Sequence, residues 1–472
     1  MELRRNPCGS ATKLTRVQLS VALLAPLFTA CEPTPTASDV AYDGPPASLI
    51  FFNGIVLTMD PTEGGAQAVA LHEDSVMRIG SDEQLLELAD PSTALVDLRG
   101  ATVLPGIVDA HTHLFNDAYR LDLDLLGGQR LALENGITTL ANLFSDPSFV
   151  PQMQDLAASG DLRIRTSLYL IYTNNCGVLQ GDWWKDHPPT RGRGERLRIG
   201  GIKVFADGGT CGRPAVSVEF VEGSGLGDLF LTGEEIALAV EEAEVTGHQV
   251  VIHAIGDRAV RAAQDGIAAG LGGRPNTLRH RIDHNVVVSA DLIPRYAEIG
   301  IQPVLFGYLS SGVIQPGPGT CEPAPRNAFY SAFEGNTRML LDELPDQRVA
   351  WHGDDPWAGP VSPFRELYSM VTRVRRGETF FCPPPPWHLQ TQITAAEGLT
   401  MMTTNSAYAL FREDEVGMLR PGMLADLIVV SANPLTVAPE DLWDIEVWMT
   451  MIGGQVEFCR EGREAVCPHP SS

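Results

Sequence analysis

The feature that most restricts the fold is an alternation of apolar, strand-like segments with helical segments through the middle of the chain. Alternation of this kind predicts βα units and a parallel sheet. Eight strands are predicted near residues 103–110, 137–143, 163–171, 201–206, 249–254, 278–283, 300–305 and 348–353. Eight consecutive units predict an α/β protein whose residues 103–412 form a (β/α)8 TIM barrel.

The two ends of the chain have a different pattern. Residues 48–102 and 413–472 contain short strand-like segments separated by Gly, Asp and Pro, so we expect them to form one small β-sandwich together. One helix start inside the barrel is well marked, because Thr232 and Glu235 form a capping box before an apolar helical segment.

The N-terminal segment resembles an export signal. Four basic residues precede the apolar run VQLSVALLAPLFTA in residues 1–30, and the run is short for a membrane span. It ends in LFTAC, which resembles the lipobox of bacterial lipoproteins, with Phe28 where leucine is preferred. We therefore expect lipidation of Cys31 and a location in a bacterial cell envelope or periplasm, with simple secretion as the alternative. Residues 31–47 are rich in Pro, Ser and Thr and are predicted to be a flexible tether.

Charge and cysteine content limit the partners. The formal net charge of -25 disfavours nucleic acid and anionic membrane surfaces, which leaves a lipid anchor as the expected membrane contact and a small molecule as the expected partner. Six cysteines follow Cys31, an even number that makes disulfides plausible in an exported protein. Cys459 and Cys467 are the best candidate pair, with free buried thiols as the alternative.

The strongest local motif is LPGIVDAHTHLF, in which an apolar segment ends in His111 and His113. Alternate residues of a strand point to the same side, so both imidazoles can reach one metal ion. A pair of histidines with this spacing is often incidental, but its position after a predicted buried strand strengthens the interpretation.

Further candidate ligands fall at the ends of other predicted strands. Their intervals suit a barrel, except for the long step of 50 residues from Lys203 to His253. A typical barrel has about 31 residues per unit, with active-site groups at the carboxyl ends of its strands. Lys203 lies 90 residues after His113, close to three units. His284 lies 31 residues after His253, and Asp354 lies 70 after His284. These intervals assign the candidates to strands 1, 4, 5, 6 and 8.

This set of motifs resembles the amidohydrolase superfamily, and specifically amidohydrolase family 3. The similarity extends from SLIFFNGIVLTMDP through DLRGATVLPGIVDAHTHL to GMLRPGMLADLIVVSANP. It implies one or two divalent metals, with zinc as the default, and a strand 4 lysine carboxylated at its side-chain nitrogen. The implied metal ligands are His111, His113, Lys203, His253, His284 and Asp354. It also implies that Asp354 is catalytic and that Arg213 contacts the substrate.

Two departures from the family pattern affect these expectations. The long insertion that often follows strand 1 is absent, so the substrate cannot be carried over. Strand 8 has His352-Gly353 where the family has Gly-Ser, which makes His352 an additional candidate, although a structural role is the favoured interpretation. Asp257 and Asp283 are close in sequence to ligand histidines and are candidates for supporting hydrogen bonds, with helix capping or surface charge as the alternative.

The expected function is hydrolysis of a carbon–nitrogen bond, other than an ordinary peptide bond, in a small amide, cyclic amide or N-acyl compound. Metal-activated water attacks the carbonyl, and Asp354 transfers the proton to the leaving nitrogen. The alternatives are an ester, lactone or dipeptide hydrolase, and a catalytically silent lipoprotein that binds a small ligand.

Overall fold

The computed structural model describes residues 45–307, 314–317, 320–323, 333, 335 and 337–468. The predicted signal peptide, Cys31 and the tether up to residue 44 lie outside the described residues. Ala47, at the end of the predicted tether, is buried and its N–H donates to the carbonyl of Leu88. None of the described helices is long and apolar enough to cross a membrane.

Short strands begin and end the described chain. The N-terminal strands are β1 (Leu49–Phe52), β2 (Ile55–Val56), β3 (Ala68–His72), β4 (Ser75–Gly80), β5 (Ala94–Asp97) and β6 (Thr102–Pro105), and α1 (Asp82–Leu86) lies between β4 and β5.

The barrel strands are β7 (Ile107–Thr112), β8 (Ile137–Ser145), β9 (Arg165–Ile171), β10 (Leu197–Phe205), β11 (Gln249–Ala254), β12 (Arg281–His284) and β13 (Gln302–Phe306); after the hairpin of β14 (Ile314–Gly317) and β15 (Thr320–Pro323) comes the eighth, β16 (Ala350–His352). The C-terminal strands are β17 (Arg375–Arg376), β18 (Phe381–Cys382), β19 (Leu427–Val430), β20 (Val447–Ile452) and β21 (Gln455–Cys459).

Helices fill most connections between the barrel strands. They are α2 (Leu114–Asp117), α3 (Leu125–Glu134), α4 (Phe149–Ser159), α5 (Gly233–Thr246), α6 (Asp257–Leu271), α7 (Ile293–Ile299), α8 (Thr337–Glu343) and, after β16, α9 (Pro363–Thr372), α10 (Pro386–Leu389), α11 (Ala395–Thr400) and α12 (Ser406–Ala409). Helix α5 begins as the sequence predicts, since Thr232 and Glu235 exchange the hydrogen bonds of a capping box. The described connection after β9 contains a 3-10 helix, Trp183–Asp186.

The eight barrel strands form one parallel sheet in sequence order. Backbone hydrogen bonds from Asp354 N to His111 O (3.0 Å) and from His113 N to Asp355 O (2.8 Å) join the ends of β16 and β7. The sheet is therefore nearly closed, and the predicted TIM barrel is confirmed. The carboxyl ends of all eight strands face one mouth, where active sites of this fold lie.

The two ends of the chain meet in a sandwich of two sheets. The order is β4-β3-β1-β5 in one sheet and β2-β6-β19-β20-β21 in the other, so the second sheet combines both ends. Phe51 and Val69 of the first sheet share an apolar core with Leu427 and Met449 of the second. The predicted β-sandwich built from both ends is confirmed.

One predicted strand is divided in the structure. Residues 103–110 were expected to form a single strand, but β6 pairs with β19 in the sandwich while β7 pairs with β8 in the barrel. Gly106 separates them, and a Cβ there would collide with the side chain of Thr138. This glycine permits the close approach at the point where the chain passes from sandwich to barrel.

Three disulfides link described cysteines. The predicted pair Cys459–Cys467 is present. Cys321 bonds to Cys382, and Cys176 bonds to Cys211. The last of these joins the segment after β9 to the segment after β10, both at the barrel mouth.

Candidate metal centre

The first barrel strand presents the histidine pair at the mouth. His111 lies in the fully buried strand β7 and His113 follows it directly. Their Nε2 atoms are 3.3 Å apart. His111 Nδ1 contacts Asp283 Oδ2 at 2.7 Å, which fixes the ring and leaves Nε2 directed at His113. The spacing of the two histidines therefore places two imidazole nitrogens side by side at the barrel mouth.

Asp354 completes this group from the loop after β16, the last strand of the barrel sheet. Its Oδ1 lies 3.3 Å from His111 Nε2 and 3.3 Å from His113 Nε2. Its backbone is in the left-handed region, with φ of 56°, and His284 has φ of 78°. Non-glycine residues are uncommon there and concentrate at functional sites. Three atoms suited to one cation thus converge from the first and last strands.

Lys203 lies deep inside the barrel on β10. Its side chain is fully buried, and Nζ has no hydrogen-bond partner among the described residues. Nζ lies 4.8 Å from the centre of the Phe205 ring. Burial lowers the pKa of Lys203 to about 8, against the opposing effect of the carboxylates of Asp283 and Asp354. A substantial fraction of this amine is therefore neutral near pH 7 to 8 and able to act as a nucleophile.

The histidines of strands 5 and 6 face the same space. The ring centroids of His253 and His284 are 4.4 Å apart, and those of His284 and His111 are 4.7 Å apart. Burial lowers the pKa of His253 to about 3, and it also holds those of His111 and His284 well below the ordinary value. The neutral imidazole is the form that binds a metal, so burial prepares these side chains for that role.

Arg213 lies in the loop that follows β10. Its side chain is exposed, and its guanidinium donates to the carbonyl of Ser224 in the same loop. Its predicted contact with substrate stays a prediction. The loop is attached near the ligands by Asp207, which accepts hydrogen bonds from the backbone N–H groups of Ala215, Ile255 and Gly256.

Asp207 also lies close to His253. It was not among the residues predicted from the sequence. Its Oδ1 lies 3.5 Å from His253 Nε2, and burial raises its pKa to about 7 despite its backbone hydrogen bonds. Its position four residues after Lys203, at the end of the same apolar segment, was the available signal.

The two candidates for supporting hydrogen bonds have different roles. Asp283 contacts His111 and also forms an ion pair with Arg281, whose Nε lies 3.2 Å from Asp283 Oδ1. Asp257 is the first residue of α6 and accepts from the backbone N–H and hydroxyl of Ser217. Asp283 therefore orients His111, whereas Asp257 attaches the loop after β10.

A second pair of carboxylates lies beneath the mouth. Asp109 Oδ1 accepts from the N–H groups of His111 (3.0 Å) and Gly353 (3.2 Å). Asp355 is fully buried, and an added Cβ at Gly353 would meet both carboxylates. Burial raises the pKa of Asp109 to about 8 and that of Asp355 well above the ordinary value. At least one of these carboxyl groups therefore carries a proton at neutral pH.

The family model described as "Amidohydrolase family" matches residues 129–458, more than two thirds of the chain. The chain belongs to the amidohydrolase family. The match begins after β7, so the placement of His111 and His113 rests on the geometry described above.

Two relatives are similar to this chain over part of their own length. The chain is 25% identical over 412 residues to "Protein LONG AFTER FAR-RED 3" of Arabidopsis thaliana, covering 83% of this chain and 65% of that protein. It is 24% identical over 276 residues to an N-substituted formamide deformylase of Arthrobacter pascens, covering 56% of this chain and 47% of that protein. The chain thus spans about half to two thirds of the length of these relatives.

A solved structure has the same fold. An uncharacterized metal-dependent hydrolase from Pyrococcus horikoshii superposes with a TM-score of 0.69 and 17% sequence identity, covering 83% of this chain and 99% of that one. At this identity the likeness establishes the fold alone and leaves the substrate open.

Proposed function

We propose that this chain is a metal-dependent hydrolase that cleaves a carbon–nitrogen bond, other than an ordinary peptide bond, in a small amide, cyclic amide or N-acyl substrate. The observation that carries the proposal is the convergence of Asp354 Oδ1 on the Nε2 atoms of His111 and His113, at 3.3 Å from each. A carboxylate held beside two imidazoles at a barrel mouth suits both cation binding and proton transfer.

The side chains fit a divalent cation. Imidazole nitrogen and carboxylate oxygen are ligands that zinc accepts, and iron, manganese and nickel accept them also. Lys203 Nζ and His284 Nδ1 are buried without a hydrogen-bond partner among the described residues, which leaves them available. We propose zinc, one or two ions per chain, held by His111, His113, Lys203, His253, His284 and Asp354. When bound, such an ion lowers the pKa of a water to about 7 and polarises the substrate carbonyl.

Carboxylation of Lys203 is part of this proposal. The neutral amine attacks CO2: an N–C bond forms, the electron pair of one C=O π bond moves to oxygen, and the nitrogen releases a proton, which leaves a carbamate anion in place of the amine. The lowered pKa of Lys203 favours the neutral amine, and its buried, unpartnered Nζ lies among the ligand side chains. The product offers oxygen ligands on strand 4, between the groups on strands 1 and 5.

Asp354 is proposed to move the proton. Its carboxylate takes a proton from the attacking water as the new C–O bond forms at the carbonyl carbon. It then delivers that proton to the leaving nitrogen as the C–N bond breaks, which gives a carboxylic acid and an amine. Asp283 keeps His111 oriented through its 2.7 Å contact with Nδ1.

The bond class rests on family membership together with this geometry. The Arthrobacter pascens relative is named for an N-substituted formamide, a compound in which the carbonyl carbon is bonded to nitrogen. We also propose that the chain is exported and lipid-anchored at Cys31, on the LFTAC motif at the end of the apolar segment.

The test is a substrate panel with purified protein. The protein is loaded with zinc in the presence of bicarbonate and assayed on N-formyl amines, cyclic amides, esters and dipeptides. We expect turnover of an amide class that is lost on chelation and in the Asp354→Asn variant, which controls for contaminating hydrolases. Turnover confined to esters or dipeptides would contradict the proposed carbon–nitrogen bond class and identify an ester or dipeptide hydrolase instead. Binding without turnover of any substrate would instead support a silent ligand-binding protein.

A further inference from the structure

His352 occupies a position where the family pattern has no ligand. It is the last residue of β16, two residues before Asp354. Its neighbour Trp351 points away from the barrel axis, since Trp351 Nε1 donates to Glu366 of α9 at 2.9 Å. Alternation along the strand therefore directs His352 into the barrel.

Inside the barrel His352 meets the two ligand histidines of strands 1 and 6. Its ring is stacked on His111 with centroids 4.9 Å apart and an interplanar angle of 24°. It also lies edge-on to His284, with centroids 4.9 Å apart and an angle of 72°. One ring nitrogen from each of these three side chains can be chosen so that all lie within 4.8 Å of one another. This spacing is compatible with a single ion at the centre of the three.

The two ring nitrogens of His352 make no hydrogen bond with any described residue. The side chain is fully buried, and neither Nδ1 nor Nε2 has a hydrogen-bond partner there. His284 Nδ1 is buried and unpartnered in the same way. Buried polar atoms normally have a partner. Packing against Phe306, whose ring centroid lies 4.3 Å away, accounts for an aromatic side chain at this position but not for its nitrogens.

We propose that His352 is a metal ligand, which with His111 and His284 forms a three-imidazole site on strands 1, 6 and 8. The inference rests on the proposed function in requiring a divalent cation at the barrel mouth. It adds a ligand from strand 8 beside Asp354, and it makes His111 the side chain shared by two ligand groups, one with His113 and Asp354 and one with His284 and His352.

The direct test uses the wild-type chain. Crystals of zinc-loaded protein are measured on both sides of the zinc absorption edge, and the anomalous peaks locate the metal. We expect a peak at the bonding distance of about 2.0 to 2.1 Å from a nitrogen of His352. A peak bonded to other ligands while His352 remains unbonded would overturn this inference and leave the proposed function intact. The absence of any peak would overturn both.

A second test measures metal affinity in variants. Co²⁺ is titrated into metal-free wild type and His352→Gln, and binding is followed by the visible absorption of the bound ion. We expect the dissociation constant to rise at least about tenfold and the spectrum to change in the variant. The matched control is His248→Gln, a fully buried histidine whose partners are Thr246 and the carbonyl of His187, which should leave both unchanged. Identical affinity and spectrum in wild type and His352→Gln would contradict the assignment.

Discussion

Asp354 and Asp355 are consecutive carboxylates with different surroundings. Asp354 reaches two histidine nitrogens at the mouth, whereas Asp355 is fully buried near Asp109. We expect Asp354→Asn to lose at least about 100-fold in kcat, the range typical of general acid/base removal, while keeping most of its metal. Asp355→Asn should be much milder, because the pKa of Asp355 is raised by burial and an amide has nearly the shape of a protonated carboxyl group. Kinetics and metal analysis of both variants test this.

The opposite ranking of the two variants would identify Asp355 as the essential carboxylate. The position of Asp354 relative to the histidines would then differ in the working enzyme.

Lys203 gives a prediction that depends on CO2. Metal-free wild type should recover metal and activity only when zinc and bicarbonate are supplied together. Lys203→Gln has no amine to carboxylate and should not respond to bicarbonate. A carbamate signal in the ¹³C NMR spectrum of protein treated with labelled bicarbonate, absent from the variant, would identify the adduct. Equal recovery of wild type with and without bicarbonate under CO2-free conditions would contradict carboxylation.

The sequence predicted the strand positions of the proposed ligands better than it predicted the contacts between side chains in the site. All six proposed ligands lie in a barrel strand or within two residues of its carboxyl end, because an apolar segment that ends in a polar residue marks a carboxyl end. The orientation of His352 and the contact of Asp207 with His253 could not be predicted, since they depend on how neighbouring strands stagger. The partner of Asp283 lies 172 residues away in sequence, which no local pattern reveals.

At the level of elements, the positions of the barrel strands were predicted more securely than the strands with which they pair. Each predicted barrel strand overlaps an observed one, but the segment 103–110 serves two sheets. A switch between sheets leaves little trace in apolar periodicity, because β6 and β7 are both buried on every residue. Among the disulfides, the local pair Cys459–Cys467 could be proposed from its short separation, whereas Cys176–Cys211 depends on the adjacency of β9 and β10.

His280 connects elements α5 and β11 and gives a prediction for acid stability. Its Nδ1 accepts from Val250 N at 2.9 Å, and its Nε2 lies 3.1 Å from Glu244 Oε1. Burial lowers the pKa of His280 to about 4 although the neighbouring carboxylate of Glu244 opposes this effect. Unfolded histidine has a pKa near 6.5, so below that pH the unfolded state binds the extra proton. This contribution to stability is complete above pH 6.5 and is lost as the pH falls towards 4.

Replacement of His280 by Gln should therefore reduce the acid sensitivity. Between pH 7 and pH 5 the free energy of unfolding should fall by about 2 kcal/mol less in His280→Gln than in wild type. Urea unfolding at both pH values measures the difference. An unchanged difference would mean that His280 titrates normally in the folded protein.

The Cys176–Cys211 bond restrains the loops at the mouth. The loop after β10 carries Arg213, and the disulfide attaches it to the segment after β9. We expect Cys176→Ser/Cys211→Ser to raise KM with a smaller effect on kcat, since loosening this loop affects substrate positioning more than the ligands on the strands. The matched control is Cys459→Ser/Cys467→Ser, which removes a disulfide in the sandwich. Equal kinetic effects from both pairs would argue against a local role.

At the scale of the whole molecule, the proposed lipid anchor at Cys31 gives a prediction for the location of the protein. Mass spectrometry of the mature protein should find a lipidated Cys31 as its first residue. Cys31→Ser should release a soluble protein with unchanged turnover, because residues 31–44 precede the described fold. A mature N-terminus elsewhere, or membrane association unchanged by the substitution, would contradict the anchor.

The shared sandwich has a consequence for biosynthesis. The edge of β6 pairs with β19, and β20 and β21 follow, so the second sheet stays incomplete until residue 459 has been synthesised. At about 5 to 20 residues per second, the 354 residues from 105 to 459 take about 20 to 70 seconds to translate. During that interval the apolar side of β1 and β3 lacks its cover. We therefore expect the first strands to be prone to aggregation during synthesis, so that a chaperone or translocation before folding would protect them.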